Sequence, residues 1–178
     1  SRDSEYSKVR RIVGSVGSVC GTGNTLGLYY LGEKLIPELS RLCTDEVKYE
    51  VNIYGGGSLT PELKSCLDHD AINIRGWVDA LDLEIINSQV FLICNNALID
   101  KAQFVVNKRS WRLGGGHTRI LHAWSLEACV VAHSSMRRHM PEIEHYKNAL
   151  LGDTPREIAQ QIKMACDDSS LRTSIGRG

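Results

Sequence analysis

Short apolar runs alternate with longer stretches of helical periodicity along most of the chain. The longest helical stretch, residues 26–42, carries leucines at helical spacing. Strands that alternate with helices in this way are typical of a parallel sheet with helical crossovers. The sequence therefore predicts one α/β domain of the Rossmann-like class, with helices on both faces of the sheet. Strands are predicted at residues 11–16, 49–54, 72–77, 90–94 and 128–132, and helices within residues 26–42, 61–67, 78–86, 118–126, 155–166 and 169–175.

Charge and hydropathy exclude several classes of protein. The 21 basic and 21 acidic side chains cancel, so a broad footprint for nucleic acid or for an anionic membrane surface is not expected. No apolar run approaches the roughly 18 residues that a membrane span needs. These features predict a cytoplasmic chain without a membrane span, and leave open a membrane-associated full-length protein.

The cysteines and histidines give no metal-site pattern. The six cysteines are widely spaced and include no Cys-x-x-Cys pair, which argues against zinc. Cys94 and Cys129 lie in apolar runs and are predicted to be buried thiols. For His133, His139 and His145, which are spaced six residues apart, solvated surface positions are predicted.

Three glycine-rich segments follow predicted strands, at residues 17–23, 55–57 and 114–116. In a parallel sheet they would gather at the carboxyl edge, where ligands bind at the switch in strand order. Glycines allow backbone N–H groups to approach phosphate oxygens, and a helix N-terminus adds free donors. The alternative is that the segments are tight turns only. The third segment closes residues 95–116, a stretch without clear periodicity whose length is often associated with function.

A dinucleotide site is a second alternative for these glycines. Residues 21–27 form a G-x-G-x-x-x-G pattern. A nicotinamide site would also need an acidic residue at the end of the second strand to hold the ribose. That strand ends instead in Tyr54-Gly55-Gly56, so the match to a dinucleotide-dependent oxidoreductase is weak.

Several short segments, each weak alone, follow one another in a specific order and spacing. They are residues 13–16, 36–39, 51–57, 74–79, 85–93, 114–124, 129–132 and 148–151, the last as a turn, and Asn24 follows the first of them. Their order resembles the C-terminal, donor-binding domain of GT-B-fold glycosyltransferases in the retaining glycogen-synthase-like and mannosyltransferase-like group. The resemblance covers nearly the whole chain.

This resemblance implies a function and a set of partners. The substrate would be a nucleoside diphosphate sugar, transferred with retention to an acceptor hydroxyl in polysaccharide biosynthesis, with no further cofactor and no metal. An N-terminal acceptor domain would lie outside this chain, with residues 1–10 as the linker, so the chain alone is expected to bind without turnover. The donor-binding residues implied are Gly17, Ser18, Asn24, Gly56, Val78, Arg112, Gly115, Gly116, His117, Thr118, Arg119 and His122.

Two departures from the family pattern concern charged residues. The two glutamates that the family places eight positions apart fall on Gly114 and His122, and residues 18–25 carry no Arg or Lys beside the diphosphate. Arg112 and Arg119 are the remaining candidate cations, and His122 could still contact a ribose. Losing both glutamates also favours a non-catalytic binding module of the same fold. No catalytic residue, base, sugar, acceptor or oligomeric state is predicted.

Overall fold

The structure, a computed structural model, describes residues 9–44, 46–94 and 117–178. The described strands form one six-stranded sheet in the order β3-β2-β1-β4-β5-β6, and every neighbouring pair is parallel. The strand order reverses between β1 and β4, which makes that junction the switch point of the sheet. The strands are β1 (Val9–Val16), β2 (Lys48–Tyr54), β3 (Ile72–Gly76), β4 (Val90–Ile93), β5 (Val130–His133) and β6 (Leu150–Gly152).

Helices connect these strands. The first connection is helical throughout, because a π-helical stretch (Leu31–Leu35) joins α1 (Thr22–Tyr30) to α2 (Ile36–Ser40). A 3-10 helix (Ser134–Arg138) follows β5. The other helices are α3 (Pro61–Cys66), α4 (Leu81–Ile86), α5 (His117–Ser125), α6 (Pro155–Asp167) and α7 (Ser169–Arg177).

The sheet separates two hydrophobic cores, because successive side chains of a strand point to opposite faces. In β4, Val90 and Leu92 pack with the cluster that contains α1, α2, α3, α6 and α7. Phe91 and Ile93 pack with the cluster that contains α4, α5 and the 3-10 helix. The predicted α/β class, with a parallel sheet and helices on both faces, is confirmed.

The five predicted strands are confirmed within a few residues, but the end of the chain holds a further strand. Residues 148–151 were expected as a turn, whereas β6 pairs in parallel with β5 from Leu150 to Gly152. Three residues are too few to show the alternation that identifies a strand. Val9 and Arg10, expected to belong to a linker, are the first residues of β1. Residues 1–8 lie outside the described residues.

The first helix begins earlier than the leucine spacing predicts. It starts at Thr22, so Gly23 lies in its first turn rather than in a glycine-rich loop. Gly21 is the N-cap residue and has an extended backbone conformation. The helix at the other end of the chain, α6, has the predicted cap: Thr154 and Glu157 form a capping box ahead of Pro155.

The prediction for His133 was wrong. Its side chain is only 6% exposed, since it ends an interior strand that pairs with β4 and β6. Nδ1 accepts from the backbone N–H of Ser135, and Nε2 lies 3.0 Å from the carbonyl oxygen of Asp153, to which it donates. His139 is exposed as predicted, and His145 is partly exposed. Its Nδ1 accepts from the backbone N–H of Leu151 at 3.0 Å.

The predicted burial of two cysteines is confirmed. Cys94 and Cys129 are 5% and 4% exposed, and burial raises the pKa of each thiol to about 12. The described residues include no group of three or more metal-ligating side chains placed to hold an ion. None of the helices in the described ranges combines the length and apolar character that a bilayer crossing requires.

Candidate functional site

The loops that follow β1, β2 and β3 meet at the carboxyl edge of the sheet and are joined through their backbones. This confirms the predicted clustering for the first two glycine-rich segments; the third, residues 114–116, lies outside the described residues. Main-chain bonds between loops leave the side chains of the edge available for other contacts. The bonds run from Gly17 N–H to the Tyr54 carbonyl (3.0 Å), from Val19 N–H to the Gly56 carbonyl (3.0 Å) and from Gly55 N–H to the Gly76 carbonyl (2.7 Å).

Two of these glycines are required by the close approach of the loops. Gly17 and Gly55 have φ of +99° and +132°, a region that side chains other than glycine rarely adopt. A Cβ atom on Gly55 would also overlap the carbonyl of Gly17. The first two loops therefore pack backbone against backbone.

A cleft of about 480 Å³ opens above the joined loops, within the size range of small-molecule sites. It brings together four of the predicted residues, Gly17, Ser18, Gly56 and Val78. The wall is formed by the first loop and the end of its strand, by the second loop, and by the segment after β3. The full lining is Val16, Gly17, Ser18, Tyr54, Gly55, Gly56, Gly57, Trp77, Val78, Asp79 and Leu81.

Arg119 of α5 lies behind the first loop. A Cβ atom placed on Gly17 would be 3.1 Å from Arg119 Nη2, so the guanidinium lies against Gly17, although Arg119 is not among the residues that line the cleft. Burial lowers the pKa of the Arg119 guanidinium, which nevertheless stays charged at neutral pH. Its Nη1 is buried and has no hydrogen-bond partner in the part of the chain that the structure describes. A buried charged donor without a partner is costly, and it favours the binding of an anion.

Asn24 helps to fix the conformation of the first loop through a side-chain hydrogen bond. Its side chain is 5% exposed, and Nδ2 donates to the carbonyl oxygen of Ser18 at 2.5 Å. Thr25 Oγ1 donates to the carbonyl oxygen of Val19 at 3.0 Å. Both side chains come from the first turn of α1, so the start of this helix holds the loop in shape. The structure thus places Asn24 in a supporting position beside the cleft.

His122, one turn after Arg119 in α5, is paired with an acidic residue of the neighbouring helix. Its Nε2 lies 2.8 Å from Oδ1 of Asp82, in the first turn of α4. The side chains are 39% and 62% exposed. His122 does not line the cleft itself, but Leu81, the residue before Asp82, does. The pair therefore lies beside the cleft wall.

Trp77 and Tyr54 are among the cleft residues that were not predicted. Trp77 is 80% exposed and lines the cleft directly after the edge strand β3. A large aromatic residue beside a glycine at the end of a strand was the available signal. Tyr54 donates from its hydroxyl to Glu84 at 2.8 Å, and burial, followed by that hydrogen bond, raises its pKa. Tyr54 is therefore a neutral, packed residue of the cleft.

The remaining predicted residues precede α5 or lie in its first turn. Arg112, Gly115 and Gly116 lie outside the described residues, as does the predicted functional loop, residues 95–116. The backbone of α5 begins at His117, and Thr118 has an exposed side chain in the first turn. The predicted helix start is confirmed within one residue.

No protein-family model and no curated protein matches the chain. Solved structures match its fold. A variant of S. aureus TarM, in complex with fondaparinux, alpha-GlcNAc-glycerol and UDP, has a TM-score of 0.58 and 16% identity, over 92% of this chain and 30% of that one. Anabaena HepE, in complex with UDP and glucose, has a TM-score of 0.58 and 15% identity, over 92% and 41%.

S. aureus MnaA, solved with UDP, matches with a TM-score of 0.54 and 15% identity, over 98% of this chain and 42% of that one. The chain thus spans between 30% and 42% of the length of these three proteins. Identities this low show a shared fold alone. The six-stranded parallel sheet and these neighbours together show that the chain has the Rossmann-like α/β fold that forms one half of a GT-B structure.

Proposed function

We propose that the chain is the donor-binding half of a GT-B-fold glycosyltransferase, and that its cleft binds the nucleoside diphosphate of a nucleotide sugar. The observation that carries the proposal is the partly buried guanidinium of Arg119 against Gly17, with a buried N–H that has no partner among the described residues. An anion seated on the first loop would lie close to this guanidinium and compensate its charge. The three neighbours, each solved with UDP, are consistent with a nucleotide as the ligand.

The cleft offers separate surfaces for the parts of such a ligand. The backbone of Gly17 and Ser18 can approach phosphate oxygens closely, and Arg119 adds a positive charge behind it. Trp77 and Val78 form the more apolar wall. An exposed aromatic ring suits stacking with a base, which contributes roughly 1–3 kcal/mol per base. We therefore propose that the diphosphate lies at the first loop and that the base lies toward the segment after β3.

The chemistry proposed for this half is stabilisation of the leaving group. When the bond from the anomeric carbon to the diphosphate breaks, negative charge grows on the phosphate oxygens. Arg119 and the backbone N–H groups at the start of α5 would stabilise that charge, since the N–H groups of Gly17 and Val19 already donate to neighbouring loops. The acceptor hydroxyl would be supplied by an acceptor-binding domain outside this chain. We therefore expect this chain alone to bind nucleotide without turnover, and transfer by the whole enzyme to proceed with retention.

A non-catalytic nucleotide-binding module of the same fold is the second candidate. It is favoured by the pairing of His122 with Asp82 at a position where the family places a glutamate. A dinucleotide-dependent oxidoreductase is disfavoured, because β2 ends in Tyr54-Gly55-Gly56 without an acidic residue for the ribose.

Saturation-transfer NMR and calorimetry on this chain test the ligand. UDP, GDP and ADP, their sugars, and NAD are compared at equal concentrations. We expect one base to be preferred, NAD to bind more weakly, and the amide shifts of Gly17, Gly56 and Trp77 to move with that ligand. The absence of binding by every nucleotide sugar at millimolar concentration would refute the proposal.

An activity assay with the preferred nucleotide sugar distinguishes the glycosyltransferase from the non-catalytic module. The chain joined to its acceptor half is assayed for hydrolysis or transfer of the preferred nucleotide sugar. Turnover supports the enzyme. Tight binding without turnover by the whole protein supports the non-catalytic module.

A further inference from the structure

The two edges of the sheet differ in how their backbone groups are covered. At the β6 edge, the backbone N–H of Leu151 donates to His145 Nδ1 at 3.0 Å. Within the described residues, no side chain is bonded in this way to β3, the strand at the opposite edge. An uncovered edge strand presents N–H and C=O groups that can pair with another strand. The β3 edge is therefore the open edge of the sheet.

The pairing of β3 with β2 determines which backbone groups are open. The N–H of Val51 donates to the carbonyl oxygen of Ala71 at 2.7 Å, and successive residues of a strand direct their N–H and C=O groups alternately to either side. Ala71 and Asn73 therefore face β2, whereas Ile74 directs its N–H and C=O groups away from the sheet. An antiparallel partner needs one donor and one acceptor on the same residue, because a hydrogen-bonded pair exchanges both bonds.

A groove of about 500 Å³ lies beside this edge, between β3 and α3. Ile74 lines the groove, and its side chain is 48% exposed. Lys64 and Asp68 also line it and are exposed, and neither has an ion-pair partner in the described part of the chain. The groove thus combines an exposed apolar side chain with one cation and one anion.

These features are self-complementary, as a contact between two copies about a twofold axis requires. If antiparallel pairing is centred on Ile74, the two Ile74 residues exchange N–H···O bonds and their side chains lie on the same face. This register places Arg75 of one copy opposite Asn73 of the other, so two arginines do not face each other across the strands. On the groove side, Lys64 of each copy can approach Asp68 of the other.

We propose that β3 pairs antiparallel with β3 of a second copy of this chain, about a twofold axis at Ile74, with Lys64 of each copy facing Asp68 of the other. The six-stranded sheets of the two copies then become continuous. A contact between short elements is at the small end of specific interfaces, so we expect an exchange between monomer and dimer. This pairing needs no ligand in the cleft and is independent of the proposed function.

Sedimentation velocity with the full chain, from about 1 µM to about 1 mM, measures the dissociation constant of the dimer. Ile74→Lys places like charges opposite each other at the axis and should raise this constant more than about tenfold. Ile86→Lys is the matched control, since Ile86 is 55% exposed on α4, and it should leave the constant unchanged. Thermal unfolding checks that both variants are folded.

Charge reversal tests which residues meet across the axis. Lys64→Glu and Asp68→Lys should each weaken the dimer, because each variant then brings like charges together at both symmetric contacts. Mixed in equal amounts, the two variants should associate as tightly as the parent does, since a Lys64→Glu copy meets an Asp68→Lys copy with opposite charges at both contacts.

Hydrogen exchange followed by NMR locates the pairing. The amide of Ile74 should exchange quickly at low concentration and become protected as the parent dimerises, whereas the corresponding amide of Ile74→Lys should stay unprotected. A parent that is monomeric at every concentration, a dimer that Ile74→Lys does not weaken, or a mixture of the two charge variants that does not associate overturns the inference. Nucleotide binding is measured separately, so the proposed function does not depend on this result.

Discussion

Replacement of Arg119 by methionine separates ligand binding from folding. Methionine keeps a long, unbranched stem beside Gly17 and removes the guanidinium. Nη1 is buried without a partner among the described residues, so the unliganded fold loses no hydrogen bond there and no longer buries that charge. We therefore expect the melting temperature of Arg119→Met to equal or exceed that of the parent.

Arg119→Met should bind the nucleotide more weakly than the parent does. A hydrogen bond to a charged group contributes about 1.5–3 kcal/mol, which corresponds to a loss of roughly 10- to 150-fold in affinity for the preferred nucleoside diphosphate. Arg119→Lys should lie between the two, because a lysine keeps the charge and loses the planar fork. Raising the salt concentration should weaken binding by the parent more than binding by Arg119→Met.

Calorimetry with the parent, both Arg119 variants and Arg138→Met measures these effects. Arg138 is an exposed arginine of the 3-10 helix after β5, so its replacement controls for the loss of one positive charge. If Arg119→Met binds the nucleotide as tightly as the parent does, Arg119 does not contact the diphosphate. If Arg119→Met unfolds at a much lower temperature than the parent, the guanidinium stabilises the unliganded fold, contrary to this prediction.

Three further predictions concern the cleft and its surroundings. Gly55→Ala should lower the free energy of unfolding in urea by at least ~2 kcal/mol, because Gly55 has a positive φ and contacts Gly17. Gly56 has open space around it, so Gly56→Ala should change the free energy of unfolding by no more than ~0.5 kcal/mol. Equal effects of the two variants would contradict the packing described. Trp77→Ala should leave the free energy of unfolding unchanged, since the side chain is 80% exposed. It should weaken nucleotide binding by roughly 1–3 kcal/mol, and an unchanged affinity would mean that the base binds elsewhere. Burial, and secondarily a neighbouring arginine, lowers the pKa of His145. The unfolded chain therefore binds more protons, and the free energy of unfolding should fall as the pH drops below the ordinary histidine pKa of about 6.5. In His145→Asn, whose side-chain oxygen can replace Nδ1 as the acceptor, this pH dependence should be weaker; an unchanged dependence would mean that other groups cause it.

Much of the fold follows from patterns that are local in the sequence. The apolar run of β4 and the alternation in β2 show strands directly, and the Thr154-Pro155 cap marks the start of α6. The features that these patterns do not predict depend on packing between distant parts of the chain. The strand β6 is three residues long, and pairing with β5 makes it a strand. His133 has a polar side chain but ends β5, which lies between two other strands, so its environment is buried.

The same distinction between local patterns and long-range packing applies to the residues of the candidate site. Glycines 17 and 56 and Val78 follow strands, and the rule that parallel strands carry ligands at their carboxyl edge brings them to one cleft. The pairing of His122 with Asp82 joins residues 40 positions apart. No local spacing indicates it, because it depends on how two helices pack on one face of the sheet. That Arg119 Nη1 has no partner among the described residues is likewise visible only when the surrounding side chains are in place.

The backbone bonds between the first three loops have a consequence for the thermodynamics of binding. Gly17, Val19 and Gly55 already donate to neighbouring loops before any ligand arrives, so folding, rather than binding, fixes the conformation of this surface. A preorganised surface loses little conformational entropy on association, and a nucleotide that binds it mainly displaces water. Side chains at its rim, such as Trp77, can then be exchanged without rebuilding the main chain beneath them. If the cleft binds a nucleotide as proposed, substitutions at the rim could therefore change the preference for a base while the main-chain frame stays the same.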